Sequence, residues 1–187
     1  MKIVDAVELI RDAVGGGAGV WADLGAGTGT FTRALTKVVG AGSTVYAVDQ
    51  DTSAVRALRE LSLPSSDDVQ VLAMNADFTH PLDLHASGRG SDELDGILLA
   101  NALHFVRDAE EVLARLVRHL RPGGRVVVVE YDRRDASEWV PYPIPLAHWP
   151  RLAASAGLTG ARITATRPSS YAGVLYAAVA IRGETGR

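Results

Sequence analysis

Five short apolar runs recur along this 187-residue chain, at residues 20–24, 44–48, 69–74, 94–100 and 125–129. None of them alternates polar with apolar residues. A strand wet on one side is apolar at every second position, so a strand that is apolar throughout has both faces covered. Helical stripes lie between the runs. Ile3, Ala6, Val7, Ile10, Ala13 and Val14 share one helical face, and GGGAG at 15–19 ends that helix. Phe31, Ala34, Leu35, Val38 and Val39 make a second stripe, stopped by Gly40. Asp51 or Ser53 caps a third helix, with Ala54, Ala57, Leu58 and Leu61 inward and Pro64 closing the unit. The clearest helix spans 108–120, where Val112, Leu113, Leu116, Val117 and Leu120 line one side. Its acids, Asp108, Glu110 and Glu111, sit at the start, and Arg118, His119 and Arg121 at the end, as the helix dipole favours. PGG at 122–124 is expected to break it. A short helix follows at 149–156, with Pro150 tolerated in its first turn. Residues 161–166 and 174–181 should pair antiparallel, and the GETGR tail should fray. Strand–helix alternation of this kind means an α/β domain built on a parallel sheet with helices on both faces. The whole chain, 1–187, reads as one such domain.

Composition removes several kinds of chemistry. There is no cysteine, which rules out disulfides, thiolate metal sites and thiol nucleophiles. The formal charge of -3 gives no global pull toward nucleic acid or anionic lipid. Charges interrupt the opening MKIVDAVELIRDAV every few residues, so it lacks the core of a signal peptide. No apolar run approaches the roughly 18 residues of a membrane-spanning helix. A soluble, cytoplasmic protein is expected. The least structured stretches are 78–93 and 131–145, long enough to be functional loops.

The first apolar run leads directly into LGAGTGTFT, with Gly25, Gly27 and Gly29 in the spacing GxGxG. In open parallel sheets ligands sit beyond the carboxyl ends of the strands, which is where this loop falls. The dinucleotide spacing GxGxxG/A is not met, because Thr30 or Thr32 stands at the third position. A phosphate-cradling P-loop needs GKS or GKT, and no lysine follows until Lys37. The glycines therefore serve a sharp turn and the close approach of something other than a phosphate.

ADLGAGTGTFT resembles motif I of the class I S-adenosylmethionine (SAM) dependent methyltransferases, and the likeness extends over nearly the whole chain. Asp49 in VYAVDQD stands where that family keeps the acid for the ribose hydroxyls. Asp77 in MNADF matches the acid that meets the adenine amino group, and LRPGGRVVVVE matches the turn before the fifth strand. The resemblance implies a Rossmann-like, doubly wound, mostly parallel seven-stranded sheet with a C-terminal antiparallel strand. It implies SAM as cofactor, S-adenosylhomocysteine (SAH) as product and no metal. The cofactor-binding set it implies is Asp23, Gly25, Ala26, Gly27, Gly29, Asp49, Gln50, Ala76, Asp77, Phe78 and Asn101. Asp23 is expected beside the methionyl amine, or else bonded to the loop's own amides; Asp77 could instead cap a short helix. Gln50 departs from the apolar residue common in the family, so Phe78 or Leu82 would cover the adenine.

Methyl transfer from a sulfonium is an SN2 step that needs a base only if the acceptor must lose a proton. His104, Tyr131, Asp132 and His148 are the candidates, with His104 nearest the methyl and Tyr131 leaving the fifth strand on the same side. For His104 the alternative is packing on Phe105 or facing solvent. Trp139, Tyr142 and Trp149 could wall an apolar pocket or form a rigid connector, and Arg133 and Arg134 could meet an acidic acceptor. After the fourth strand the chain reads Asn101-Ala102-Leu103-His104, unlike the N/D-PP-Y/F of amine and amide methylation. Absence of cysteine removes cytosine C5 and arsenic chemistry. Arg115, Arg118, Arg121 and Arg125 form only a modest basic cluster. A small-molecule acceptor is expected, with nucleic acid disfavoured and a monomer or homodimer as the assembly. An RNA methyltransferase and a non-catalytic SAM-binding subunit are the alternatives; an NAD-linked oxidoreductase lacks its motif here. Residues 1–18 either close over the site as a partial lid or leave it open for a second subunit to complete.

Overall fold

The computed structural model describes residues 1–61, 68–84, 93–133, 135–169 and 173–183. Pro64, Arg134, residues 85–92 of the 78–93 loop, and all of the tail but Gly183 lie outside them. In chain order the elements are α1 (Ile3–Val14), β1 (Val20–Leu24), α2 (Thr30–Thr36), β2 (Thr44–Asp49), α3 (Thr52–Leu61), β3 (Gln70–Asn75) and β4 (Leu94–Ala100). Then come α4 (Ala109–Val117), β5 (Leu120–Tyr131), α5 (Trp149–Ser155), β6 (Leu158–Ser169) and β7 (Gly173–Arg182). The strands form one seven-stranded sheet in the order β3-β2-β1-β4-β5-β7-β6. β7 runs antiparallel to both of its neighbours, and the recorded pairs among β1 to β5 are parallel.

Alternate residues of the central strands face two separate cores. Val126 and Val128 of β5 pack with Leu113, Leu116, Trp149 and Leu152 of α4 and α5. Val127 and Val129 pack with Ile10 and Leu35 of α1 and α2. Covering both faces is why these strands carry no polar alternation. Asp51 rather than Ser53 caps α3, its Oδ1 accepting the Ser53 amide at 2.8 Å. Two arginines cap helix ends from the sheet. Arg125 Nη1 donates to the carbonyls of Ala13 and Val14 at the end of α1, at 3.3 and 2.9 Å. Arg182 Nη1 donates to Val117, Arg118 and Leu120 just beyond α4. Both satisfy carbonyls that a helix leaves unpaired.

Several boundaries differ from the sequence reading. α2 stops at Thr36, and a turn, not helix, delivers Val38 and Val39 to the core. Gly40 there donates its amide to Gly17, and a Cβ on Gly40 would come within 2.7 Å of the Ala18 nitrogen. α4 ends at Val117, so His119 and Arg121 are not in its last turn. Leu120 is already paired with Leu94 in the sheet, and the Pro-Gly-Gly is an irregularity inside β5, where the register skips to Gly96 opposite Arg125. Pro122 lacks an amide donor and Gly123 takes φ 76°, both suited to a bulge.

Candidate active site

The direction of winding reverses between β1 and β4, and a crevice opens beyond the carboxyl ends of such a strand pair. The glycine loop leaves β1 there. Its Gly25 and Ala26 amides donate to the Val48 carbonyl of β2 at 2.9 and 3.0 Å. Gly25, Gly27 and Gly29 all have positive φ, 74°, 54° and 86°. Beyond that shared backbone demand, their reasons differ. A Cβ on Gly25 would lie 2.6 Å from the Ala102 Cβ, and one on Gly29 would lie 2.5 Å from Leu61. A Cβ on Gly27 would meet no protein atom within 4 Å; it would project from a loop that lines a cavity of about 600 Å³. Gly27 is the cradle position.

Three cavities open near this loop and share Asn101. The first contains Asp23, Gly25, Ala26 and Gly27. The second, about 310 Å³, is lined by Asp49, Gln50, Ala76, Asp77 and Phe78. The third, about 410 Å³, holds His104, Phe105, Tyr131 and Trp139. Asn101 lines all three. It follows β4 with φ 54°, a left-handed conformation that asparagine tolerates better than most residues. Its Oδ1 is buried without a hydrogen-bond partner, so it is not used to cap the turn.

Asp23 is fully buried on β1. Oδ2 accepts the Thr32 hydroxyl of α2 at 2.7 Å, while Oδ1 has no partner. It is not bonded to the loop's amides. Burial pushes its carboxyl up to about 7, against the Thr32 bond, and the nearby Asp49 charge adds to the rise. An orphaned acceptor of this kind suits an ammonium group. Asp49 ends β2, and its carboxylate accepts the Gly27 amide at 2.7 Å and the Asp51 amide at 2.9 Å. The acid at the end of β2 and the glycine loop are thus coupled directly. Asp77 is tied locally: its Oδ1 accepts the amide and hydroxyl of Thr79, and its Oδ2 lies 3.0 Å from His80 Nδ1. Burial raises its carboxyl, but the Thr79 bonds and His80 outweigh that and hold it below the ordinary range. Phe78 lines the second cavity, and Leu82 packs against the core instead. Gly29 lines none of these cavities; it shapes the entry to α2, and the other ten residues of the cofactor set face the first or second.

His104 lies in a 3₁₀ turn, Leu103–Phe105, and is 2 % exposed. Its Nδ1 is 2.5 Å from Oε2 of Glu130, a fully buried residue of β5. Oε1 of the same carboxylate accepts the amides of Leu103 and His104 at 3.1 and 3.2 Å. Burial drives the Glu130 carboxyl upward, against its bonds from His104 and Leu103. With Nδ1 held, Nε2 is the ring nitrogen left for an acceptor. His104 also packs on Phe105, ring centres 4.4 Å apart, so packing and pairing coexist. Glu130 was missed in the sequence, where it only follows the apolar run 125–129. The signal that finds it is register: Ala100 pairs with Val129, which sets Glu130 beside the turn after β4.

Other expectations are corrected. Trp139, Tyr142 and Trp149 do not share a pocket. Trp149 is wholly buried, with Nε1 directed at the Val179 carbonyl at 3.4 Å, because α5 packs on the sheet through it. Tyr142 and His148 line a separate cavity near the start of α4. Asp132 turns to accept the Leu146 amide at 3.0 Å. Neither Asp132 nor His148 lines the cavity of His104. The basic cluster disperses too: Arg115 donates to the Thr79 carbonyl, Arg121 pairs with Asp95 at 2.6 Å, and Arg125 caps α1. Among the described residues, no group of three His, Asp or Glu could hold a metal ion, and no helix is long and apolar enough to cross a membrane.

An open α/β sheet with a glycine loop after β1 and an acid at the end of β2 is the arrangement that the likeness to SAM-dependent methyltransferases implies. A family model described as a methyltransferase domain matches residues 22–126, just over half of the chain, and the chain belongs to that family, the class I SAM-dependent methyltransferases. The ubiquinone/menaquinone biosynthesis C-methyltransferase UbiE of Hahella chejuensis is 28% identical over 125 residues, covering 66% of this chain and 47% of its own. The chain spans less than half the length of the curated relatives it matches. Its fold is similar to that of a SAM-dependent methyltransferase from Aquifex aeolicus, with TM-score 0.69 at 17% identity, covering 95% of this chain and 89% of that one. It is also similar to the 1,6-didemethyltoxoflavin-N1-methyltransferase of Burkholderia thailandensis, solved with SAH, with TM-score 0.70 at 22% identity, covering 97% and 78%.

Raising the pH should strengthen cofactor binding. A cationic amine beside Asp23 requires the ionised carboxylate, and that form is lost as pH falls through about 7. SAH affinity is expected to climb by up to about tenfold per pH unit below that point and to level off above it. Calorimetry from pH 5.5 to 8.5 checks this, and Asp23→Asn should flatten the profile.

Proposed function

We propose that this chain transfers a methyl group from SAM to a small-molecule acceptor, and that His104 removes the acceptor's proton. The observation that carries this reading is the meeting of three cavities at Asn101. A cofactor cradle and an adenosine-sized recess lie on one side of that residue. A third cavity, with a buried, carboxylate-held imidazole, lies on the other.

The fit to SAM rests on the chain's own groups. Asp23 Oδ1 is a free buried acceptor for the methionyl ammonium, and Gly27 leaves room for the amino-acid part. Asp49 would take the ribose hydroxyls, exchanging its bond to the Gly27 amide for them. Gln50, Ala76, Asp77 and Phe78 would surround the adenine. When bound, SAM would supply an electrophilic methyl on a sulfonium, which the acceptor's nucleophilic atom would take in line while the C–S bond breaks and SAH leaves. Glu130 holds His104 Nδ1 and the two amides of its turn, which fixes the ring and leaves Nε2 to accept a proton. The buried carboxylate then faces an imidazolium and offsets its charge. Tyr131 lines the cradle and acceptor cavities alike and would help orient the acceptor. Holding two reactants in line can contribute about 7–11 kcal/mol without covalent help.

Asp49→Ala is the direct test of the cofactor placement. SAH affinity should fall at least about tenfold, the scale of one charge-assisted hydrogen bond. Wild-type affinity in the variant would show that the sugar sits elsewhere. A labelled-methyl screen over small metabolites, run beside an RNA pool, separates the small-molecule reading from RNA methylation.

A further inference from the structure

We infer that the acceptor is a planar, conjugated molecule bearing an ionisable hydroxyl, a phenol or an enol, and that Trp139 recognises its flat face. The inference rests on the methyltransferase reading above and narrows it. The cavity of His104 has an unusual lining. The rings of Phe105, His104 and Tyr131 form a continuous row, with His104 centred 4.4 Å from Phe105 and 6.2 Å from Tyr131, each pair tilted by 48°. Trp139 adds an indole to the same cavity.

Exposure gives a second, independent sign. Phe105 is 55% and Trp139 76% exposed, and among the described residues few other large apolar side chains are as bare. Their counterparts at Trp21 and Trp149 are 3% and 0% exposed, so the fold buries tryptophan where it can. Phe105 also lines the second cavity, beside the adenosine recess, so the bare ring left for the acceptor to cover is that of Trp139. Aromatic faces favour a flat π system in offset or edge contact over a puckered ring of equal size.

Charge selects within the flat molecules. Among the described residues, Arg133 is the one permanently charged side chain lining the cavity. His104 gains a proton in the reaction, and the acceptor that gives it becomes an anion. A phenolate or enolate is stabilised by the guanidinium, whereas a neutral amine acceptor gains nothing from it. The acceptor's O–H bond breaks toward Nε2, and its electron pair stays on the conjugated oxygen–carbon system. The methyl can then pass to that oxygen or to the adjacent carbon, its bond to the sulfonium sulfur breaking with the electron pair as SAH leaves.

The test uses the full chain saturated with SAH and titrated by calorimetry with two probes: 2-naphthol, and its saturated counterpart decahydro-2-naphthol. 2-Naphthol is expected to bind at least about fivefold more tightly, the scale of an aromatic contact. Trp139→Leu, which keeps an apolar side chain but loses the ring, should remove most of that preference. Trp139→Phe should retain it, and Arg133→Gln should weaken 2-naphthol alone. Trp139 lies at the surface, so these variants should fold, and an unchanged melting temperature confirms it. Equal affinity for the two probes, or no 2-naphthol binding at millimolar concentration in SAH-loaded protein, overturns the inference while the methyltransferase reading stands. Failure of wild-type protein to bind SAH overturns that reading, and the acceptor assignment with it.

Discussion

Replacing His104 by alanine should lower kcat by about 10²- to 10⁴-fold, the range a positioned general base contributes. SAH binding should be unchanged, because His104 lines the acceptor cavity and neither cofactor cavity. Glu130→Gln is the sharper variant. It keeps the shape of the side chain but cannot compensate an imidazolium, and it disturbs which ring nitrogen carries the proton. Its effect should approach that of His104→Ala, and the double variant should be little worse than either single one. Groups that act as a unit lose their function together. Full turnover in His104→Ala would mean that the acceptor arrives already able to react, and that Glu130 serves only to pin the turn after β4.

Trp149→Ala should cost about 3–5 kcal/mol, the range for emptying a fully buried large aromatic site. The indole is wholly buried between α5 and the sheet, and its loss also strips the Val179 carbonyl of a donor. For a domain of this size the melting temperature should fall by on the order of 10 °C. Below that temperature, affinity for SAH should be kept, since Trp149 lines none of the three cavities. The contrast with Trp139 is the point. Two tryptophans ten residues apart, in one proline-rich segment, separate into a residue of the fold and a residue of the site.

Much of the architecture was legible because burial on both faces leaves a distinct sequence trace. β1 and β4 emerged at their observed limits, and the inward face of α1 was read nearly whole, with only Leu9 unforeseen. Errors fell where sheet pairing overrode local pattern. Leu120 continues the apolar stripe of α4, yet pairing with Leu94 draws it into β5. Proline and glycines that read as a break are absorbed as a bulge. Around the first cavity, the lining residues that belong to one contiguous motif, Asp23 to Gly27, stood out in the sequence as a unit. Glu130 was not, because its importance comes from a neighbour 26 positions away across two strands. Trp149 and Trp139 were indistinguishable for a related reason: composition says that a segment is aromatic, and only packing says which ring turns inward.

α1 is fastened at both extremities. Arg125 grips its last carbonyls, and Asp5 near its start pairs with Arg167 of β6 at 2.9 Å, beside the first cavity. A hinged flap needs one free end. We infer that this helix is fixed cladding along the first cavity, while the segment bearing Trp139 borders the third.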